Sequence, residues 1–186
     1  MAPVAPAERV VFEQTFEGLF VNALRDRMSP PLARALKEQG LDLSQRLLPA
    51  YPIAVWTRCC QTAARHLYPA LPEEDGLRRL GEIVVEGFGN GFLGRALMGV
   101  VRVLGPQRAL ARVRQNFRSG NNYAEATVTR LEGNEYEVWM NEVGPTRYVC
   151  QGIILAGLKM TTALDPTVEV KRFDDQAVWF HASWKS

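Results

Sequence analysis

The chain has 186 residues, of which 47% are hydrophobic and 23% charged, and its formal net charge is +2. This length and composition are typical of one globular domain with a sizeable core. A charge this small creates no strong field, so neither nucleic acid nor an anionic lipid surface is expected as a partner.

The cysteines and the apolar runs bear on the cellular compartment. Cys59, Cys60 and Cys150 contain no Cys-x-x-Cys spacing, which argues against a disulfide framework and a zinc site and favours a reducing, cytoplasmic compartment. Residues 1–8 lack the basic and apolar regions of a signal peptide and are expected to form a disordered tail. The most apolar run, 92–105, is shorter than the roughly 20 residues that cross a bilayer, so no membrane span is predicted.

The first half of the chain is predicted to be helical. Apolar residues recur at helical spacing over residues 12–28. Ser29, followed by two prolines, is typical of a helix start, and Gly40 of its end. Residues 41–52 then indicate an irregular connector, and residues 53–68 a third helix with one apolar stripe.

Three more helices are predicted before the pattern changes. The fourth begins near Glu73, the fifth spans 92–104 and is apolar nearly all round, and the sixth spans 106–118. The fifth is therefore placed at the centre of the bundle. The inward positions of the fourth helix are Leu77, Leu80, Val84 and Phe88.

After Gly120 the apolar residues alternate, which predicts strands. The predicted elements are strands over 123–131 and 135–141, a helix over 150–163, and strands over 167–173 and 177–184. The fold class is therefore α+β: an N-terminal bundle of about six helices followed by a β-β-α-β-β antiparallel sheet half, in a single domain over residues 9–186.

No catalytic constellation of acid, base and nucleophile is recognisable, so an enzyme is not predicted. His66 and His181 are the only imidazoles, and both are interpreted as structural or solvated. The Gly-x-Gly-x-x-Gly pattern at residues 89–94 follows a predicted helix rather than a strand, which is not the context of a dinucleotide site. Glu82 and Glu86 lie one turn apart and are interpreted as exposed, with Arg78 or Arg79 as a possible pair.

Two polar features leave alternatives open. Adjacent Cys59 and Cys60 are interpreted as small core residues, or else one thiol lines a cavity or accepts an acyl group. At the change of period, Asn121 and Asn122 favour left-handed and turn conformations. They form either a joint between helix and sheet or, together with Arg118, a polar site at that seam.

Six stretches carry a family resemblance that extends from about residue 10 to 184. They are "FEGLFVNAL", "LLPAYPIAVW", "LGEIVVEGFGNGFLGRAL", "LGPQRALARVRQNFRSGNNY", "CQGIILAGL" and "VWFHASW". Together they resemble a paralogous family of myxobacterial proteins of unknown function, about 180–200 residues long. This resemblance implies no activity.

The element order is similar to that of a ligand-binding superfamily shared by haem–nitric-oxide sensors, four-vinyl-reductase-type domains and small TRAPP vesicle-tethering subunits. That likeness implies an apolar small molecule or acyl chain held between helices and sheet, or dimeric assembly. By that likeness, haem sensors ligate iron through a histidine in the helix just before the sheet and hold the haem propionates with a Tyr-x-Ser-x-Arg motif. Here the corresponding stretch, "RVRQNFRSGNNY", has no histidine, and the motif does not occur in the chain. Neither haem nor another cofactor is therefore expected.

The leading hypothesis is a non-catalytic regulatory or sensory module that binds an apolar small molecule between helices and sheet. Its pocket is predicted to be lined by Trp56, Cys59, Phe88 and Phe92. The alternative is a protein-interaction or adaptor module that dimerises through a helical face and has no ligand. The partners expected are accordingly a second copy or a signalling protein.

Overall fold

The computed structural model describes residues 4–89, 105–141 and 144–185. A 3₁₀ turn over Pro6–Glu8 precedes strand β1 (Val10–Phe12) and helix α1 (Glu13–Phe16), which continues as a π-helix over Glu17–Ala23 and a 3₁₀ turn over Arg25–Arg27. Then follow α2 (Pro30–Glu38), β2 (Ala50–Pro52), α3 (Ile53–Leu67) and α4 (Glu73–Gly89). The tail over residues 1–8 and the domain over 9–186 stay predictions.

The second half contains the main sheet. Residues 105–111 are helical (α5), and α6 (Val113–Gly120) follows after a turn at Arg112. The remaining elements are β3 (Ala126–Arg130), β4 (Glu135–Met140), α7 (Arg147–Lys159), β5 (Leu164–Phe173) and β6 (Val178–Lys185). The α+β class and the β-β-α-β-β order are thus confirmed, whereas the predicted helix over 92–104 lies outside the described residues.

Local chemistry explains the ends of α2. The Ser29 hydroxyl accepts a hydrogen bond from the Leu32 amide at 3.3 Å, which satisfies one amide that has no partner within the helix. Gly40, just past the helix, has a φ of 101°, a left-handed conformation that costs glycine little. Both predicted boundaries are confirmed.

A small two-stranded sheet was not predicted. Strand β1 pairs antiparallel with β2, with Val11 opposite Tyr51. The prediction of an irregular connector over 41–52 was wrong at its end, where β2 lies. A three-residue strand offers too short a run for alternation to be recognised, and its pairing partner is some 40 residues away in the chain.

The main sheet is antiparallel with strand order β3-β4-β6-β5. Its inner face forms a sheet core with α5, α6 and α7, and this core includes Val138, Phe180 and Leu155. A separate helical core holds the apolar residues of the first half, among them Phe16 and Trp56. Helix α7 begins three residues before the predicted start at 150 and ends before 163. Its sequence is apolar on most sides, so the pattern alone defined its ends poorly.

Candidate functional site

Trp56, a predicted pocket residue, lies in an aromatic cluster within the helical core. Its ring packs edge-on against Phe16, with centroids 5.2 Å apart, and against Phe20 at 6.0 Å. Tyr51 of β2 adds a fourth ring, 4.4 Å from that of Phe16. Trp56 is only 6% exposed. The β1–β2 pairing and α3 together position this cluster, because Tyr51 comes from the strand that leads into the helix.

Cys59 follows one turn later on α3 and is completely buried, as is Cys60. Burial raises the pKa of the Cys59 thiol to about 12 because it disfavours the charged thiolate. The thiol is therefore protonated at neutral pH and is a poor nucleophile. This environment favours the packing interpretation over an acyl acceptor.

The other two predicted pocket residues cannot be placed beside them. The backbone of Phe88 belongs to the last turn of α4, but its side chain, like the whole of Phe92, lies outside the described residues. The structure thus brings Trp56 and Cys59 together on one helix face. The four-residue pocket stays a prediction.

Helices α4 and α7 join the two cores through a close crossing. A Cβ added at Gly81 would lie 2.1 Å from the carbonyl oxygen of Val149, and one added at Gly152 would lie 2.0 Å from that of Arg78. Both distances are far below van der Waals contact, so only glycine fits at either position without moving a helix. Sequence reasoning missed this contact, although both glycines lie inside predicted helices where glycine is unfavourable.

A buried carboxylate lies beside the crossing. Glu82 is 6% exposed, accepts from Arg78 Nη1 at 2.9 Å, and receives Lys159 Nζ of α7 at 2.8 Å. Arg78 also reaches Asp75 at 3.1 Å. The prediction that Glu82 is exposed was wrong, because α7 covers this side of α4. The arginine partner one turn away is confirmed.

The polar seam after α6 is a hydrogen-bonded corner centred on Asn121. Its side-chain oxygen accepts from the amides of Tyr123 at 3.0 Å and Ala124 at 2.6 Å, and its nitrogen donates to the Phe117 carbonyl at 3.0 Å. One buried side chain thereby ends the helix and turns the chain toward β3.

Asn122 and Arg118 extend this corner to the N-terminal segment. Asn122 accepts from the Val10 amide and donates to the Glu8 carbonyl, each at 2.9 Å. Arg118 donates to the Asn122 carbonyl at 2.6 Å. The structure therefore brings the three predicted seam residues together, and the side chain of Asn122 links the N-terminal segment to the sheet half.

Sequence reasoning also missed an open groove at one end of the sheet. Its volume is about 560 Å³, and the β3–β4 turn and the ends of β5 and β6 line it. The lining residues are Glu132, Gly133, Asn134, Glu135, Asp165, Thr167, Ser183, Trp184 and Lys185. Asp165 is paired with Lys185 at 2.7 Å, which lowers the pKa of that carboxyl. The groove forms only where three separated segments meet, so no local pattern indicates it.

Neither histidine faces the space between helices and sheet. His66 lies on the exposed side of α3, with Nδ1 2.9 Å from the Thr62 carbonyl oxygen. His181 lies on the outer face of the sheet, with Nε2 3.3 Å from Glu135. Within residues 4–89, 105–141 and 144–185, no three His, Cys, Asp or Glu side chains are arranged to hold a metal ion. In the same ranges no helix has the length and apolar character to span a membrane.

Residues 9–185 match the model of a protein family of unknown function, DUF2378. The chain belongs to this family. No curated protein matches it.

Solved structures similar to this family member are H-NOX proteins. A variant H-NOX protein from K. algicida, in the unliganded Fe(II) state, is 12% identical over 91% of this chain and 96% of that one, with a TM-score of 0.65. A variant Tt H-NOX protein is 13% identical over 92% and 94%, with a TM-score of 0.67. A variant H-NOX protein from S. oneidensis is 11% identical over 91% of this chain and 96% of that one, with a TM-score of 0.61. The DUF2378 chain thus has an H-NOX-like fold.

Proposed function

We propose that this DUF2378 protein is a non-catalytic sensory or regulatory module that binds an apolar small molecule between its helical half and its sheet half. The observation that carries the proposal is the H-NOX-like fold, which matches over more than nine-tenths of the chain. Fold alone does not specify a ligand, so the chemistry of the site must supply its class.

The chemistry of the aromatic cluster around Trp56 supports an apolar ligand. Trp56 and the aromatic rings around it present hydrocarbon, and Cys59 is an uncharged thiol in the same core. A charged ligand would lose its hydration there without gaining a partner. A compact apolar molecule would gain about 25 cal/mol for each Å² of surface removed from water.

The joint between the two halves offers a way to transmit binding. The halves meet at the Gly81–Gly152 crossing and at the Asn121 corner. A ligand that prefers one relative arrangement of helices and sheet shifts the population toward it, by as much as its affinity differs between the two arrangements. The surface offered to a signalling partner would change with that shift.

The residues do not fit the haem that two of the similar structures name in their descriptions. The chain has two histidines; one lies on the exposed side of α3, and the other on the outer face of the sheet. Neither is placed to ligate iron between the halves. We therefore assign no haem chemistry to this protein and expect an organic ligand.

Native mass spectrometry of the freshly purified protein tests this proposal. The expected result is extra mass that is lost on denaturation, and its value identifies the class of compound. Extra mass that survives denaturation would instead indicate a covalent adduct. A bare chain, with no compound from a broad apolar library raising its melting temperature, would refute the proposal.

A substitution locates the ligand. Phe92→Ala is expected to lower stability, and a compound found by mass spectrometry should restore much of the loss by mass action if the residue lines its pocket. Phe173→Ala is the matched control, because Phe173 lies at the end of β5 against Arg147, 4.1 Å from ring centroid to guanidinium carbon. Equal binding by both variants would remove Phe92 from the pocket.

A second function, a dimeric interaction module without a small molecule, is favoured by a different observation. The outer face of the sheet carries two neighbouring tryptophans with no described helix over them. Native mass spectrometry separates the two functions, since a bare chain at twice the monomer mass would support the module.

A further inference from the structure

The face of the main sheet that points away from α7 has a composition unusual for a solvated surface. We call it the outer face, and it consists of Thr127, Thr129, Glu135, Glu137, Trp139, Thr167, Glu169, Arg172, Trp179, His181 and Ser183. Among the described helices, α5, α6 and α7 contribute to the core on the opposite, inner face. No helix of the described residues belongs to a core on the outer face.

One row across this face is aromatic and ends in an arginine. Trp139 is directly opposite Trp179 on the neighbouring strand. The guanidinium carbon of Arg172 lies 3.5 Å from the centroid of the Trp179 ring, and Arg172 is exposed. A guanidinium that covers one ring can accept a second ring on its other side.

The adjacent row places a histidine between two carboxylates. His181 is paired in register with Glu137 on one side and Glu169 on the other. Glu135, from the next row, reaches His181 at 3.3 Å, and Lys171 pairs with Glu169 at 2.6 Å. The face thus combines apolar rings, acceptors and donors within a few residues.

We propose that a second copy of this chain binds here, outer face to outer face, about a twofold axis that runs along the strands between β4 and β6. This rotation keeps each row at the same height along the strands and brings the β3 edge of one copy over the β5 edge of the other. Strand β4 then lies over β6 of the second copy, and β3 lies over β5.

The outer face is self-complementary under that rotation. Trp139 meets the Trp179 and Arg172 stack of the second copy, and Glu137 meets its His181. The rotation makes each contact twice. Like charges do not meet, because the acidic positions of one copy face histidine, threonine or serine of the other.

The size of the face predicts a weak dimer. Four strands about 4.8 Å apart, each with about six residues at 3.3 Å, cover roughly 20 Å by 20 Å, or about 400 Å² per copy. A standard stable interface buries about 800 Å² per partner. The dimer should therefore form with a dissociation constant in the micromolar range or weaker and show concentration dependence.

Charges at Thr127 test this geometry. Thr127 and Arg172 lie on opposite edges of the sheet, three strand spacings or about 14 Å apart. A charge introduced at position 127 is therefore largely screened from Arg172 of the same chain. In the dimer, Thr127 faces Arg172 of the second copy. We expect Thr127→Glu to tighten the dimer about three- to tenfold, and Thr127→Arg to weaken it by a similar factor.

Sedimentation equilibrium over micromolar to near-millimolar concentrations measures both effects on the full chain. Arg108→Gln, at an exposed position on α5, changes the net charge by the same one unit as Thr127→Glu and should leave the dissociation constant unchanged. The double variant Thr127→Arg with Arg172→Glu should recover dimerisation, because its charges again attract across the interface.

Trp139→Ala should weaken the dimer more than tenfold, with circular dichroism and the melting temperature showing that the fold remains. A monomer at every concentration would overturn the proposal. A dimer whose dissociation constant changes equally with Thr127→Glu and Thr127→Arg, or with neither, would overturn it as well. This inference does not depend on a small-molecule ligand, so its failure and that of ligand binding are distinguishable.

Discussion

Replacing Gly152 by alanine tests whether the α4–α7 crossing is as close as the structure shows. The new Cβ would lie 2.0 Å from the Arg78 carbonyl oxygen and 2.9 Å from the Glu82 amide nitrogen, both backbone atoms. Ordinary contact begins near 3.4 Å, so the two helices must separate by about 1.4 Å in a closely packed interior. Side-chain rotation cannot relieve the overlap.

The expected loss in the free energy of unfolding is about 3 kcal/mol, the upper end of the usual overpacking cost, because the clash is with backbone. For a chain of this length, that loss corresponds to a melting temperature roughly 6–12 °C lower. Gly81→Ala should cost a similar amount, since its Cβ would meet the Val149 carbonyl at 2.1 Å. The double variant should cost less than the sum, because one separation of the helices relieves both clashes.

Gly157→Ala is the matched control on the same helix. Nothing lies within 4 Å of its added Cβ, so the substitution should be neutral or raise stability by about 0.5–1 kcal/mol through helix propensity. Thermal unfolding followed by circular dichroism, with urea titration for the free energy, measures all the variants. If Gly152→Ala unfolds at the same temperature as Gly157→Ala, the close crossing is refuted.

The remaining predictions concern the Asn121 corner, the Glu82 carboxylate and the Cys59 thiol. Asn121→Ala should lower the free energy of unfolding by about 2–3 kcal/mol, because it leaves buried backbone amides without acceptors. Urea titration measures this loss against Asn116→Ala, an exposed control, and equal unfolding midpoints for the two variants would contradict it. Glu82→Gln should lower the free energy of unfolding by about 1–3 kcal/mol, because two cationic partners lose their carboxylate. Lys159→Met should lower it less in the same assay, since half of the lysine is already exposed. A larger loss for Lys159→Met than for Glu82→Gln would contradict the central place of the carboxylate. The Cys59 thiol should react about 1000-fold more slowly than an ordinary thiol near pH 8, because burial raises its pKa from 9.0 to about 12. For the same reason, the free energy of unfolding should be retained below pH 9 and fall as the pH rises toward 12, since the unfolded chain loses this proton first. Thiol labelling of the native protein, with Cys59→Ala as the control, checks the reactivity, and rapid labelling of Cys59 would contradict it. Unfolding midpoints of the same two proteins against pH check the loss of stability.

The candidate site shows where prediction from sequence succeeds in part. The apolar stripe of α3 correctly indicated that Trp56 and Cys59 are interior residues. Asn121 was recognised as the end of a helix, but its three hydrogen-bond partners and the link from Asn122 to β1 were not predicted. The left-handed backbone expected of Asn121 was wrong, because its φ of −160° and ψ of 170° are extended. The partners of Asn122 lie in a segment more than 100 residues earlier, which no local pattern indicates.

The class and order of the elements follow from the sequence alone, because helix and strand periods, the Ser29 cap and the turn at Gly133 are local properties of the chain. The burial of Glu82, the contact of Gly81 and Gly152 with the opposite helix, and the pairing of Trp139 with Trp179 became visible only in the folded structure. Each of these facts depends on which distant segment lies against the residue. Such contacts form where burial of apolar surface outweighs the entropy of ordering the chain, and local periodicity does not record them.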